Sequence, residues 1–442
     1  MKRSLFIGWV ILAVAFSYAC TKKQNLPEKQ STEADVSVQN NDSMNRKPFK
    51  FTITTDIDEK ADDEDVKIIL SINKLDGKQT ILYDLDCESD GEYEFTGLSD
   101  DHECIYKPNT GTHQISVRGE ILGLYLCARH PNEEACTPNH IGFRCDISSG
   151  EDASIVALKS IDSWGDISWK SMFAFAADCE RLEIIPDEVP DLSHVKNMSY
   201  MFSGAESFNQ PLEKWDVSNV TDMSLMFWGA KSFNQPLDKW NVSNVTNMSD
   251  MFWAAESLNQ PLDKWNVSNV TNMSDMFRDA VSFNQPLEKW DVSNVTDMSM
   301  MFSGAESFNQ PLEKWDVSNV TDMSSMFWGA ESFNQPLDKW NVSKVTNMSG
   351  MFWHADSFNQ PLEKWNVSNV TNMRKMFLYA DSFNQPLEKW NVSKVTDVDE
   401  MFNGASKFSY YPKSWVVPEN SEDMFTGTKV EDIAEKEPLK RR

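Results

Sequence analysis

The sequence predicts an α/β repeat solenoid, with short strands plus a short helix in each coil, preceded by a small β-sandwich module. Three observations predict it. From residue 201 a Met-Phe pair returns every 25 residues, at 201/202, 226/227, 251/252 and on to 401/402. Trp returns on the same period at 215, 240, 265, 290, 315, 340, 365, 390 and 415. Upstream, short β-branched and aromatic runs are separated by turn dipeptides such as Asp76-Gly77 and Asp90-Gly91. A fixed period between about 20 and 50 residues marks a solenoid, and short strands at close spacing mark a sandwich.

The chain opens with Lys2 and Arg3, then an apolar run from Leu5 to Phe16, then Ser17, Tyr18, Ala19 and Cys20. A basic start and an apolar stretch too short for an ordinary membrane span predict an export signal over residues 1–19. A Cys at the cut site resembles a bacterial lipobox, with Ser17 in place of the usual Leu, and makes Cys20 the expected lipidation site. Acyl chains there would anchor the chain to a membrane, at about 0.8 kcal/mol per buried methylene. Residues 20–47 are polar and without aromatics. They predict a flexible tether with a root-mean-square reach of about 30 Å.

Residues 48–158 are expected to form the sandwich, with strands at 49–55, 66–72, 80–85, 93–95, 113–117 and 124–127. Six cysteines follow Cys20, at 87, 104, 127, 136, 145 and 179. Three of them lie with His130 and His140 between 127 and 145, a spacing that a zinc site also uses. In an exported chain an even number of cysteines favours disulfides, whose connectivity spacing leaves open. No metal site is predicted.

The solenoid is expected over residues 159–426, followed by a charged C-terminal tail at 427–442. Within one unit, Leu212, Trp215 and Val217 fit the strand pattern of a leucine-rich repeat. Val220 and Met223 suggest a second short strand. Ser224 stands where an N-cap would, before a helical turn through Met226, Phe227 and Ala230 that Gly229 can close. Asn209-Gln210-Pro211 makes the corner, because Pro blocks continuation of a helix. One coil cannot bury these apolar residues alone; stacked coils set like on like and build a continuous core. The Trp column is expected to stack, and the Asn209 and Asn219 columns to form ladders that satisfy corner backbone groups. A Lys column from 214 to 389 lies beside an acidic column from 213 to 388. Residues 201–224 recur unchanged at 301–324, so a 100-residue block has been copied over the shorter period.

The repeating unit, Met-Phe-x-Gly-Ala-x-Ser-Phe-Asn-Gln-Pro-Leu-x-Lys-Trp-Asp-Val-Ser-Asn-Val-Thr-Asp-Met, resembles the BspA-like leucine-rich-repeat bacterial surface lipoproteins, in the subfamily with repeats of about 25 residues. The resemblance covers about 160–426 and begins with the lead-in from Ile161 to Asp166. It implies a leucine-rich-repeat-like solenoid, placement at the outer membrane or cell surface, and adhesion or protein binding. It supplies no catalytic residue. Tyr410-Tyr411-Pro412 and the charged tail look like a capping end.

Function is sought where the columns vary. The residue after Met-Phe is Trp228, Trp253, Arg278, Ser303, Trp328, Trp353, Leu378 or Asn403. Asp279, His354 and Tyr379 beside them break the Gly/Ala habit. With Phe227 turned inward, its neighbour is expected to face outward. Trp228, Trp253, Arg278, Trp328, Trp353, His354 and Tyr379 are therefore the candidate binding surface. Folding of the tryptophans over the adjacent coil as packing is the other reading.

Charge and motif narrow the class. With 41 Lys+Arg against 68 Asp+Glu the net charge is −27, which disfavours nucleic acid. The 16 Trp and 26 Phe argue against disorder, and six scattered His against a histidine-built centre. Gly-x-Ser-x-Gly, His-Glu-x-x-His and P-loop motifs are absent, and no cofactor or catalysis is expected. The expectation is a lipid-anchored surface protein whose solenoid binds another protein or cell-surface macromolecule. A passive spacer or coat protein without a ligand is the alternative.

Overall fold

The computed structural model describes residues 47–54, 66–72, 83–87, 95–98, 102–106, 112–119, 124–129, 142–144 and 157–442, apart from 420 and 422. The expected signal, Cys20 and all of the tether but its last residue lie outside the described residues.

The N-terminal strands are β1 (Phe49–Thr54), β2 (Val66–Ile72), β3 (Tyr83–Asp86), β4 (Phe95–Leu98), β5 (His102–Tyr106), β6 (Thr112–Gly119), β7 (Leu124–Arg129), β8 (Gly142–Arg144) and β9 (Ala157–Ser163). Six overlap the expected runs; β5, β8 and β9 were not expected. They form two five-stranded sheets, ordered β4-β3-β6-β1-β9 and β10-β8-β7-β2-β5, where β10 is Ala176–Ala177. The packing of the two sheets as a sandwich rests on side chains outside the described residues.

In the first sheet Phe49, Phe51 and Ile53 of β1 are all buried, as the two-residue period of a strand requires. They meet Ile115 and Val117 of β6 and Ile161 of β9 in one core. That core runs on into the array. Phe49 lies 5.4 Å from Trp169, edge to face, and Trp164 lies 5.4 Å from Trp215 in the first regular coil. The pairing of β10 with β8 is parallel, so the second sheet also reaches the array. The boundary expected at 158/159 therefore falls inside β9 and interrupts no core.

The repeats stack as a solenoid, but their local structure differs from the expected strand–strand–helix coil. Each coil contributes one parallel bridge, linking Asn197, Asp222, Asn247, Asn272, Asp297, Asp322, Asn347, Asn372 and Asp397 in series. The segments expected as strands close instead into turns, with Trp215 N–H donating to Leu212 at 3.0 Å and Val220 N–H to Val217 at 2.9 Å. The expected helix is absent from every coil. The only α-helix among the described residues is α1, Glu431–Lys436, beyond the repeats.

The reason is visible in the backbone. Leu225 and Gly229 adopt left-handed φ of 55° and 67°, and bracket the turn that would have been helical. The equivalent positions, including Asp250, Asp275, Met300, Ser325 and Lys375, do the same. A left-handed non-Gly residue costs about 1–2 kcal/mol. The hydrogen bonding it permits offsets that cost. Met223, Leu225, Phe227 and Gly229 donate their N–H groups to Asn247, Ser249, Met251 and Trp253 in the next coil at 2.7–3.1 Å. Between them Met226, Trp228 and Ala230 donate back to Met223, Leu225 and Phe227 at 3.1–3.3 Å. A helix would satisfy its own coil and leave its neighbour without these bonds.

Side chains extend the same logic. Thr246 donates both its N–H and its hydroxyl to Thr221 carbonyl, at 2.9 and 3.2 Å. Asn209 accepts from the N–H of Asn234 at 2.9 Å, and Asn244 donates to the carbonyl of Ser218 at 2.7 Å. Both Asn columns thus tie coil to coil through the backbone. Phe rings stack from Phe202 through Phe227 to Phe425 at 5.4–5.8 Å. Trp rings stack from Trp265 to Trp415 at 6.3–6.5 Å. Lysines 239, 264, 289, 314, 339, 364 and 389 each reach the carboxylate one coil back at 2.6–3.2 Å.

The array ends in a folded cap, to which the charged tail at 427–442 belongs. β11 (Val416–Val417) pairs in parallel with β12 (Lys440–Arg441). The Arg442 guanidinium donates to the carbonyls of Val392, Val395 and Val416, and the Tyr411 hydroxyl to Glu437.

Candidate binding surface

The left-handed residue three positions before each variable residue turns the chain so that Phe227 enters the core while Trp228 leaves it. Phe227 is fully buried; Trp228 is 37% exposed. Trp253, Trp328, Trp353 and Arg278 are half-buried, and His354 and Tyr379 are exposed. The same column also holds Ser303 and Leu378, both buried, so exposure in it depends on the residue that fills it.

The structure gathers the candidates into two groups, one in each copied block. In the first, Trp228 stacks on Trp253 at 5.3 Å and Arg278 lies over the far face of that pair, 4.4 Å from the Trp253 centroid. In the second, Trp328 stacks on Trp353 at 4.7 Å, and Lys375 lies 5.2 Å from the Trp353 centroid. His354 stacks on Tyr379 at 4.9 Å beside it. Each ring packs on its neighbour and keeps part of its surface, so packing and exposure coexist.

The two groups differ in their polar partners. Trp253 donates its indole N–H to Asp279 at 3.1 Å. Tyr379 replaces that carboxylate in the second group, and the buried indole nitrogen of Trp353 has no acceptor. The first group also holds two carboxyls that reading for aromatic exposure passed over. Burial, reinforced by the like charge of Asp275, pushes Asp250 up to about 6. Burial raises Asp275 as well, against its 3.1 Å bond to Arg278. Asp250, Asp275 and Lys375 all occupy the left-handed column. Their signal was present in the repeat alignment, because that column varies as freely as the one after Met-Phe.

Cys87 and Cys179 are each disulfide-bonded, in line with the disulfide reading of those two. The side chains of Cys104, Cys127, Cys136 and Cys145 lie outside the described residues. No described helix is long and apolar enough to cross a membrane.

A family model described as "Mycoplasma protein of unknown function, DUF285" matches residues 167–280, 259–360 and 335–435, which together span more than half of the chain. The chain belongs to the DUF285 family. The three tandem matches fall on the stacked coils and end at residue 435, within α1. No curated protein and no solved structure matches this DUF285 chain.

Proposed function

We propose that this DUF285 protein is a lipid-anchored bacterial surface protein, of the BspA-like leucine-rich-repeat kind, whose solenoid mediates protein–protein or adhesive interaction. Its task is display and contact, without catalysis. The observation that supports this most is the pair of half-exposed indole stacks. Every other aromatic column of the regular coils is buried, yet Trp228–Trp253 and Trp328–Trp353 come to the surface at the same register of two copied blocks. Aromatic side chains left at the surface are what an interface uses as anchors. Lys2, Arg3, the apolar run and Cys20 support export and anchoring at the cell surface.

Beads coated with the full-length protein test the reading on intact cells. Saturable attachment that is lost when Trp228, Trp253, Trp328 and Trp353 become Ser, in a protein that keeps its unfolding transition, supports it. Unsaturable attachment, equal for both proteins, favours the passive spacer. That second reading draws its support from the unchanged copying of residues 201–224 at 301–324. Incorporation of a palmitate analogue, abolished by Cys20→Ala, tests the anchor.

A further inference from the structure

Each exposed indole pair is closed at one end by a cation of the chain itself, Arg278 over Trp253 and Lys375 over Trp353. The opposite ends differ. The coil before Trp228 carries Ser203 in this column, and the coil before Trp328 carries Ser303, both buried. A hydroxymethyl group is too small to cover an indole. Among the described residues, Trp253 is the only ring stacked on Trp228, Trp353 the only ring stacked on Trp328, and no cation lies over either outer ring.

Carboxylates stand near the first of these outer rings. The chain carries a net charge of −27. Tyr200, in the coil before Trp228, has its phenol raised by burial and then by the charges of Asp250 and Asp222. A negative field beside an open indole face selects for a cation, which the ring quadrupole attracts further.

We propose that the outer faces of Trp228 and Trp328 receive Arg or Lys side chains from a basic, extended segment of a partner protein. The partner would repeat at one end of each stack what Arg278 and Lys375 do at the other. This rests on reading the indole stripe as the interaction surface. The spacing makes it specific. Trp228 and Trp328 are 100 residues, or four coils, apart. At about 4.8 Å per coil that is roughly 19 Å. An extended peptide advances about 3.3 Å per residue, so the two cations stand roughly six residues apart.

The test is calorimetric titration of the full-length protein with a flexible peptide, uncharged apart from two Arg six residues apart. Binding is expected, weakening as salt rises. The double variant Trp228→Leu, Trp328→Leu keeps apolar bulk and loses the quadrupole, so affinity falls about tenfold. Moving the Arg residues to a three-residue spacing removes the gain from simultaneous engagement. Equal affinity for both spacings, or for both proteins, overturns the proposal. Should the Leu variant unfold, the corresponding Phe variant, expected to bind more weakly than wild type, and the spacing comparison decide. Trp-dependent attachment to cells without peptide binding, or Trp-dependent binding of neutral glycans instead, removes the cationic partner and leaves the adhesive reading standing. Attachment indifferent to the tryptophans removes both.

Discussion

The indole N–H of Trp240 donates to the carbonyl of Leu212, one coil back, at 2.9 Å. The same bond recurs from Trp265 to Leu237 and onward to Trp390 and Leu362. The Trp column therefore does two things: it fills the core and gives a second donor to a corner carbonyl that already accepts the backbone N–H of the Trp three residues on, as Leu212 does from Trp215 at 3.0 Å. Trp290→Phe keeps an aromatic ring and removes one of the two donors to the carbonyl of Leu262, leaving the backbone N–H of Trp265 at 3.1 Å. The expected cost is roughly 1–3 kcal/mol, from the lost hydrogen bond and the lost ring volume. Urea unfolding measures it, and amide exchange should show the loosening centred on the coils beside residue 290. A stability equal to wild type would show that the bond contributes nothing.

Asp250 predicts a pH dependence of definite sign. Its folded pKa, raised to about 6 first by burial and then by Asp275, stands above the ordinary carboxylate value. The folded state therefore holds this proton more tightly than the unfolded state, and stability falls as pH rises from about 4 through 6. Asp250→Asn removes the effect. The variant should match wild type near pH 4 and unfold at a higher temperature above pH 6.5. An advantage confined to acid pH would reverse the assignment.

Ser325 has φ of 53°, and the next coil places Gly350 at the equivalent position with φ of 62°. Ser325→Gly relieves left-handed strain of about 1–2 kcal/mol and adds unfolded-state freedom of about 0.5–1 kcal/mol. A net stabilisation of roughly 0.5–1 kcal/mol is expected. Ser325→Val should destabilise, because a β-branched residue resists this conformation. Thermal unfolding of the pair decides it; a less stable glycine variant would show that the column is not strained.

Arg442 donates to three backbone carbonyls at the last coils, doing with one side chain what a further coil would do with its backbone. Arg442→Ala should raise amide exchange around residues 392–417 and leave the coils near residue 227 unchanged, since stability in a solenoid passes mainly between neighbours. Uniform exchange in the variant would mean that the cap does not hold that end.

The Lys column shows how far local sequence can be trusted. Its place beside an acidic column predicted cancelled repulsion, and Lys264 does meet Asp238 at 2.6 Å. The bond runs between coils and in one direction only, which adjacency in sequence does not specify. The column after Met-Phe was legible as variable, but Ser303 and Leu378 turned out buried there while Trp228 is exposed. Asp250 and Asp275 went unnoticed because a carboxylate in a repeat reads as solvated until its burial is known.

The period by itself determined that like residues lie over like, and hence that Trp, Phe and Met build one core. That follows from translation: equal spacing along the chain becomes equal height in the stack. What translation leaves open is how each coil bends. The helix expected at Ser224–Ala230 and the strands expected before it gave way to left-handed turns at Leu225 and Gly229. Propensity weighs a segment against water, whereas these turns are chosen by carbonyls waiting one coil away, at Asn247, Ser249, Met251 and Trp253. Those partners are 24 residues distant in the chain and adjacent only once the coils are stacked. Only the assembled array decides the backbone conformation, and with it which indoles face the solvent.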